Sequence, residues 1–205
     1  MGLMTDVAKD LLAIKAVQIK TDHYFTWTSG IKSPIYCDNR LTMSYPEVRQ
    51  KIMKAFIEKI EQMDKKPEVI AGCATAGIPH AAWLADALNL PMVYVRSKPK
   101  EHGKGNQIEG EIPVGKRVLV IEDLISTGGS VLNVARALQN AGAEIIGVLA
   151  IFTYGLKKAE QQFAEAKIPY DTITNYDALL NILEANGQIS ESERQELEAW
   201  RNNLS

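Results

Sequence analysis

The sequence predicts an α/β fold in which an open parallel sheet is flanked by helices, and three observations carry that expectation. From residue 68 onward, short β-branched runs alternate with helical patterns, the order that places parallel strands side by side through crossover helices. The longest apolar stretch, residues 145–152, is 8 residues long, which fits a buried strand and falls far short of the roughly 20 needed to cross a bilayer. A length of 205 residues, 46% apolar and 23% charged, suits one domain spanning 1–205 with its own core and no need of a disulfide or structural metal.

The elements follow in order. Val7, Leu11 and Ile14 recur at helical spacing behind Thr5 and Asp6, both good N-caps, and predict a first helix to about Val17. Ser44 and Glu47 have the spacing of a capping box ahead of the apolar stripe Val48, Ile52, Ala55, Phe56 and Ile60. Strands are expected at 68–71, 92–95, 118–121 and 145–152, with a last short one near Thr172. Helices fall between them at 80–88, 131–141 and 157–166. Two more close the chain, one ending at Asn186 and Gly187, the other opening with the capping box Ser190 to Glu193. No internal repeat or heptad run interrupts this order.

Charge and cysteine usage exclude several classes. With 23 Lys plus Arg against 25 Asp plus Glu, and no long cationic block, the chain lacks the footprint of a nonspecific nucleic-acid binder or a polybasic membrane binder. The N-terminus has neither the pattern of a secretory signal nor the Ser or Thr at position 6 that myristoylation requires, so a cytoplasmic address is expected. Cys37 and Cys73, without a CxxC pair, fit reduced thiols in structural roles.

In an open parallel sheet, ligands bind outside the carboxyl ends of the strands, so the loops after residues 71, 95, 121 and 152 should line one crevice. The most informative reads strand, then Glu122 and Asp123, then Leu124 and Ile125, then Ser126, Thr127, Gly128, Gly129 and Ser130, then an apolar helix. Small residues let backbone N–H groups wrap an anion in front of a helix N-terminus, which makes this a phosphate cradle. No Lys follows the glycines, so it is not a Walker loop. Two carboxylates beside a phosphate need something else to face, and a ribose diol or a hydrated Mg²⁺ meets that need. A solvated acidic turn beside a Gly-rich loop is the plainer alternative.

Residues 118–130 resemble throughout the PRPP-binding signature of type I phosphoribosyltransferases, in which this pattern holds the ribose and 5-phosphate of 5-phosphoribosyl 1-diphosphate. Phe25, Ser29, Gly30, Ser33, Pro34 and Tyr36 are similar to the FxxxSGxxSPxY block of orotate phosphoribosyltransferases, which forms a small N-terminal hood over the base. Arg96, Lys100, His102 and Gly103 match the RxxxKxHG spacing of that family's catalytic loop. Ala74, Thr75, Ala76 and Gly77 look like its pyrophosphate loop, although tight strand-to-helix packing explains a GxxxxG turn equally well.

The resemblance implies the type I phosphoribosyltransferase fold, with residues from about 1 to 45 and the C-terminal helices contributing the hood and its packing. It implies transfer of the phosphoribosyl group from PRPP to orotate in pyrimidine nucleotide synthesis, with Lys100, His102 and Asp123 as catalytic residues and His102 a candidate proton donor. PRPP would be bound by Arg96, Lys100, His102, Glu122, Asp123, Leu124, Ile125, Ser126, Thr127, Gly128, Gly129 and Ser130, and orotate by Ser126. Mg²⁺ would be held mainly through PRPP and water near Glu122 and Asp123, with no dedicated protein ligands. A homodimer whose loops reach the neighbouring site is likewise implied. Many relatives carry cations where this chain has Thr28 and Ser97, and after the strand where it continues Thr153, Tyr154, Gly155, which leaves Lys32, Arg40 and hood backbone N–H groups as candidates for the orotate carboxylate. A purine phosphoribosyltransferase and a PRPP-binding regulator are the rival readings.

Overall fold

The computed structural model describes residues 2–26, 30, 32–97, 107–111 and 113–204. The chain opens with α1 (Leu3–Ala13), then four short strands, β1 (Val17–Ile19), β2 (Phe25–Thr26), β3 (Lys32–Ser33) and β4 (Ile35–Cys37). A 3₁₀ helix, Asn39–Ser44, leads into α2 (Pro46–Glu61). The alternating region follows: β5 (Val69–Cys73), α3 (Gly77–Leu88), β6 (Met92–Val95), β7 (Ile108–Glu109), β8 (Arg117–Ile125), α4 (Gly129–Asn140), β9 (Glu144–Thr153), α5 (Lys157–Ala166) and β10 (Tyr170–Asn175). The helices α6 (Tyr176–Ala185) and α7 (Glu191–Asn203) close the chain.

Six strands form the central sheet in the order β10-β9-β8-β5-β6-β7. All neighbours run parallel except β7, which pairs antiparallel with β6. Successive side chains of a strand point to opposite faces, and the two cores follow from that. Leu119, Ile121, Leu149 and Ile151 pack with α1, α2, α3 and α6 on one face, while Val118, Val120, Val148 and Ala150 pack with α4 and α5 on the other. Burial of such side chains is worth about 1.5–3 kcal/mol each, which is why the strands read as nearly continuous apolar runs. Ahead of the sheet, β1 pairs antiparallel with β4 and β2 with β3. Trp200 of α7 donates its Nε1–H to the Lys32 carbonyl at 3.2 Å, fastening the C-terminal helix to that N-terminal layer. No helix among the described residues is long and apolar enough to cross a membrane.

Several boundaries differ from expectation, each for a local reason. The first helix starts at Leu3 with Gly2 as N-cap, because the Thr5 and Asp6 amides bond to the Gly2 carbonyl and lie inside the first turn rather than ahead of it. It ends at Ala13; Lys15, at φ 59°, reverses the chain and Val17 opens β1. The Ser44 capping box does not form: Ser44 ends the 3₁₀ helix, and α2 begins at Pro46, whose missing N–H and fixed φ suit a first helical position. The buried stripe Val48, Ile52, Ala55, Phe56 and Ile60 is as expected, as is the capping box at Ser190 and Glu193. β8 runs on to Ile125 instead of stopping at Ile121, so both acids lie within the strand.

Candidate active site

The parallel register brings the carboxyl ends of β5, β6, β8 and β9 to one edge of the sheet. At the end of β8, Gly128 takes φ +85° and caps α4 with no side-chain hydrogen bond. The first amide groups of α4 are therefore left without a side-chain cap, with the positive end of the helix dipole behind them. A Cβ on Gly128 would lie 2.9 Å from the Phe163 ring, so glycine is needed there for both conformation and packing. Among the described residues, a Cβ on Gly129 would meet only Gln162 Oε1, at 3.7 Å.

Glu122 is 8% exposed, and its Oε1 accepts the Asp123 amide at 3.0 Å. Burial pushes the Glu122 carboxyl up to about 9, with the neighbouring Asp123 acting in the same direction. Burial also raises Asp123, but the hydrogen bond from Glu122 lowers it, so the shared proton rests on Glu122. The proton held on Glu122 lessens the repulsion that an anion next to two carboxylates would meet. Cys73, at the end of β5, faces Glu122; burial first and that carboxyl second hold its thiol well above the usual range. Cys37 is raised likewise by burial, and both cysteines are free thiols.

The turn after β5 is shaped by packing. A Cβ on Gly77 would run into the Ile121 carbonyl oxygen, and one on Gly72 would lie 3.0 Å from the Ala81 Cβ and the Ile78 Cα. The Ala74 amide donates to the Val95 carbonyl at 3.0 Å, and a cis peptide bond joins Ala74 to Thr75. Next to this turn, the Arg96 amide donates to the Gln107 carbonyl at 2.9 Å and Gln107 Nε2 donates to the Arg96 carbonyl at 2.8 Å. These bonds clasp the two stems of the segment that carries the expected catalytic cations. The Arg96 guanidinium stands 3.6 Å from Glu109 Oε1. Lys98, Lys100, His102 and Gly103 lie outside the described residues.

Across the strand ends, Phe25 and Tyr36 set their rings 5.6 Å apart and Lys20 lies 4.7 Å over Phe25. Trp27, Thr28 and Ser29 lie outside the described residues, and Lys32 is exposed. Arg40 is engaged twice by Asp38, through Nε at 2.6 Å and Nη2 at 2.8 Å. Thr153 donates to the Ile125 carbonyl at 2.9 Å and accepts the Gly155 amide at 3.1 Å, closing the ends of β8 and β9. Two residues to which the sequence assigned no role sit here. Tyr154 is 4% exposed, packed edge-on against Phe152, and burial together with nearby Cys37 and Asp123 raises its phenol. Asn39 is fully buried and donates from Nδ2 to the Asp123 carbonyl at 2.7 Å. Asn39 had no signal in a single sequence, since its partner Asp123 lies 84 positions away along the chain. Among the described residues, no group of three or more His, Cys, Asp or Glu side chains is arranged to hold a metal ion.

Comparison with known proteins agrees with this geometry. A model of the phosphoribosyl transferase domain matches residues 44–184. A curated relative from Oceanobacillus iheyensis, named orotate phosphoribosyltransferase, is 64% identical over 198 residues, covering 97% of this chain and 98% of its own. The crystal structure of orotate phosphoribosyltransferase from Aeropyrum pernix superposes with a TM-score of 0.74 at 28% identity, covering 90% of this chain and 99% of that one. Leishmania donovani UMP synthase gives a TM-score of 0.79 at 26% identity over 97% of this chain, which spans only 42% of that larger protein. The chain belongs to the phosphoribosyl transferase domain family and, within it, to the orotate phosphoribosyltransferases.

Proposed function

We propose that the protein transfers the 5-phosphoribosyl group of PRPP to orotate, giving orotidine 5′-monophosphate and pyrophosphate for pyrimidine nucleotide synthesis in the cytoplasm, with residues 1–205 acting as one domain. The bond from C1 to the diphosphate breaks, the bond from C1 to the orotate ring nitrogen forms, and that nitrogen's proton is released. The observation that carries the reading is the run from Asp123 through Gly128 into the uncapped start of α4, which sets an anion cradle directly after a carboxylate.

In this reading the amides of Ser126, Thr127, Gly128, Gly129 and Ser130 hold the 5-phosphate, while Leu124 and Ile125 carry the chain from the acids to that turn. Asp123 accepts the ribose hydroxyls, and Glu122, neutral at pH 7, offers a hydroxyl donor beside it. Ser126 and the layer bearing Phe25 and Tyr36 receive the base. The turn Ala74 to Gly77, with Arg96, Lys100 and His102, meets the pyrophosphate. Breaking the C1 bond leaves cationic character on the ribose and negative charge on the leaving group, so the site must neutralise pyrophosphate and exclude water. Two adjacent carboxyl groups, with Glu122 neutral, are too small a donor set to cage a cation, but they suit Mg²⁺ arriving with the diphosphate, where the ion would spread the leaving group's charge.

The homodimer with loops serving the partner's site belongs to the same reading. Lys100→Ala should lose about 10²- to 10³-fold in rate, and mixing those subunits with Asp123→Asn subunits should restore activity toward about half of the normal level per mixed dimer. No recovery, with exchange verified by native mass spectrometry, would put the loop in its own subunit. The reading as a whole is tested by following orotate absorbance with PRPP and Mg²⁺, with hypoxanthine and adenine run in parallel. Consumption of orotate alone is expected. Use of a purine instead would favour the purine enzyme, and PRPP binding without turnover would favour the regulator.

A further inference from the structure

The bond from Asn39 to Asp123 joins residues 84 positions apart and links two halves of the site that the sheet alone does not connect. β8 outruns its neighbour: its last pair with β5 is Ile121 with Gly72, after which β5 turns away toward α3. The Asp123 carbonyl, beyond that point, takes its hydrogen from the Asn39 amide at 2.7 Å. Asn39 in turn is fixed from the N-terminal layer. The Asp38 amide donates to the Ala16 carbonyl at 2.7 Å, the Asp38 carboxylate accepts the Arg40 amide at 3.2 Å, and Thr42 Oγ1 donates to the Asn39 carbonyl at 2.6 Å.

A carbonyl at a strand end is ordinarily served by water. Here a side chain with no exposed surface is used, and its own Oδ1 is buried without a partner among the described residues. Leaving a buried acceptor unsatisfied costs roughly 1–3 kcal/mol, so stability alone is a poor reason for an asparagine at this point. What the amide does secure is the distance between the layer carrying Phe25 and Tyr36 and the carboxylate of Asp123.

We propose that Asn39 is a positioning residue, holding the Asp123 backbone so that the base-binding layer and the ribose-binding acid move as one unit and occupancy of either side favours the other. The inference rests on the phosphoribosyl-transfer reading above and assigns this residue a role within it. Linkage between two subsites is reciprocal and measurable as a ratio of affinities. A residue needed only for folding would weaken both subsites without changing that ratio.

The test is orotate affinity by calorimetry, with and without saturating ribose 5-phosphate, which lacks the leaving group and cannot react. In the unaltered protein, ribose 5-phosphate should tighten orotate binding by about fivefold or more. In Asn39→Leu, which has the same branched outline without the amide, the ratio should fall below about twofold. Asn39→Ala serves as the second variant if that one does not fold. Asn175→Ala removes the side-chain cap of α6 without touching Asn39 or Asp123; it should lower the unfolding temperature and leave the ratio intact. A ratio near one in the unaltered protein, or an unchanged ratio in folded Asn39 variants, would overturn the proposal. Failure of the unaltered protein to bind orotate at all would instead overturn the functional reading, and this proposal with it.

Discussion

β5 and β8 lie side by side, run parallel, and each ends in a turn of small residues that begins a helix. After β5, smallness is demanded from inside the protein: Gly77 abuts the backbone of β8 and Gly72 abuts α3. After β8 the demand is divided. Gly128 must be small because of its φ of +85° and the Phe163 ring beneath it, whereas Gly129 stands at the start of α4 with only Gln162 at ordinary contact distance. The first turn brings α3 tightly onto the sheet, and the second keeps the start of α4 clear. Small residues in a strand-to-helix turn therefore carry two different messages, and only the surroundings of each Cβ separate them.

The comparison breaks most severely at Gly77. Gly77→Ala should push α3 off β8 and destabilise the protein by about 3 kcal/mol or more, a drop of roughly 6–12 °C in the unfolding midpoint, with PRPP binding lost only as the fold is lost. Gly128→Ala should cost about 1–3 kcal/mol from its left-handed backbone and the Phe163 contact, seen as a lower midpoint in the same calorimetric scan. Asp123→Asn sharpens the contrast from the other side. It keeps the volume and removes the charge, so PRPP affinity should fall about tenfold by titration calorimetry while the midpoint hardly moves.

A smaller effect should distinguish the two acids by pH. Because burial raises Glu122 to about 9, the folded protein holds a proton there that the unfolded chain releases above about 4.5. Stability from this group must then fall as pH rises between those values, the reverse of an ordinary paired carboxylate. Glu122→Gln, which mimics the neutral form, should raise the midpoint by a few degrees at pH 8 and leave it nearly unchanged at pH 5. An equal shift at both values would show that Glu122 is ionised in the fold.

How much of this was legible in the sequence depended on the range over which the physics acts. The strand at Met92–Val95 and the helix at Lys157–Ala166 were read to the residue, because apolar period and local breakers define them. The end of β8 was misplaced because two acids look like the start of a loop; pairing with β9 as far as Ile125 with Thr153 keeps them in the strand. The Ser44 capping box lost to Pro46, a competition the spacing rule does not weigh. β1 and β4, three residues each, are too short to carry a period and exist because they pair with one another. Within the candidate site, the order of strand, acids, small-residue turn and helix was legible since those residues are contiguous. Asn39 and the clasp between Arg96 and Gln107 were not, since folding brings their partners together.

Gly129 is the position where stability and ligand binding come apart most cleanly. Gly129→Val adds a side chain that the surrounding protein can accept, since among the described residues only the flexible end of Gln162 lies within 4 Å of the new Cβ. Calorimetric titration of that variant with PRPP, beside a thermal scan, tests the central claim that the start of α4 is kept bare for a phosphate. The account predicts an unfolding midpoint within about 2 °C of the unaltered protein and PRPP affinity lower by about a hundredfold or more. Unchanged PRPP affinity in that folded variant would contradict it and move the phosphate to another part of the strand edge.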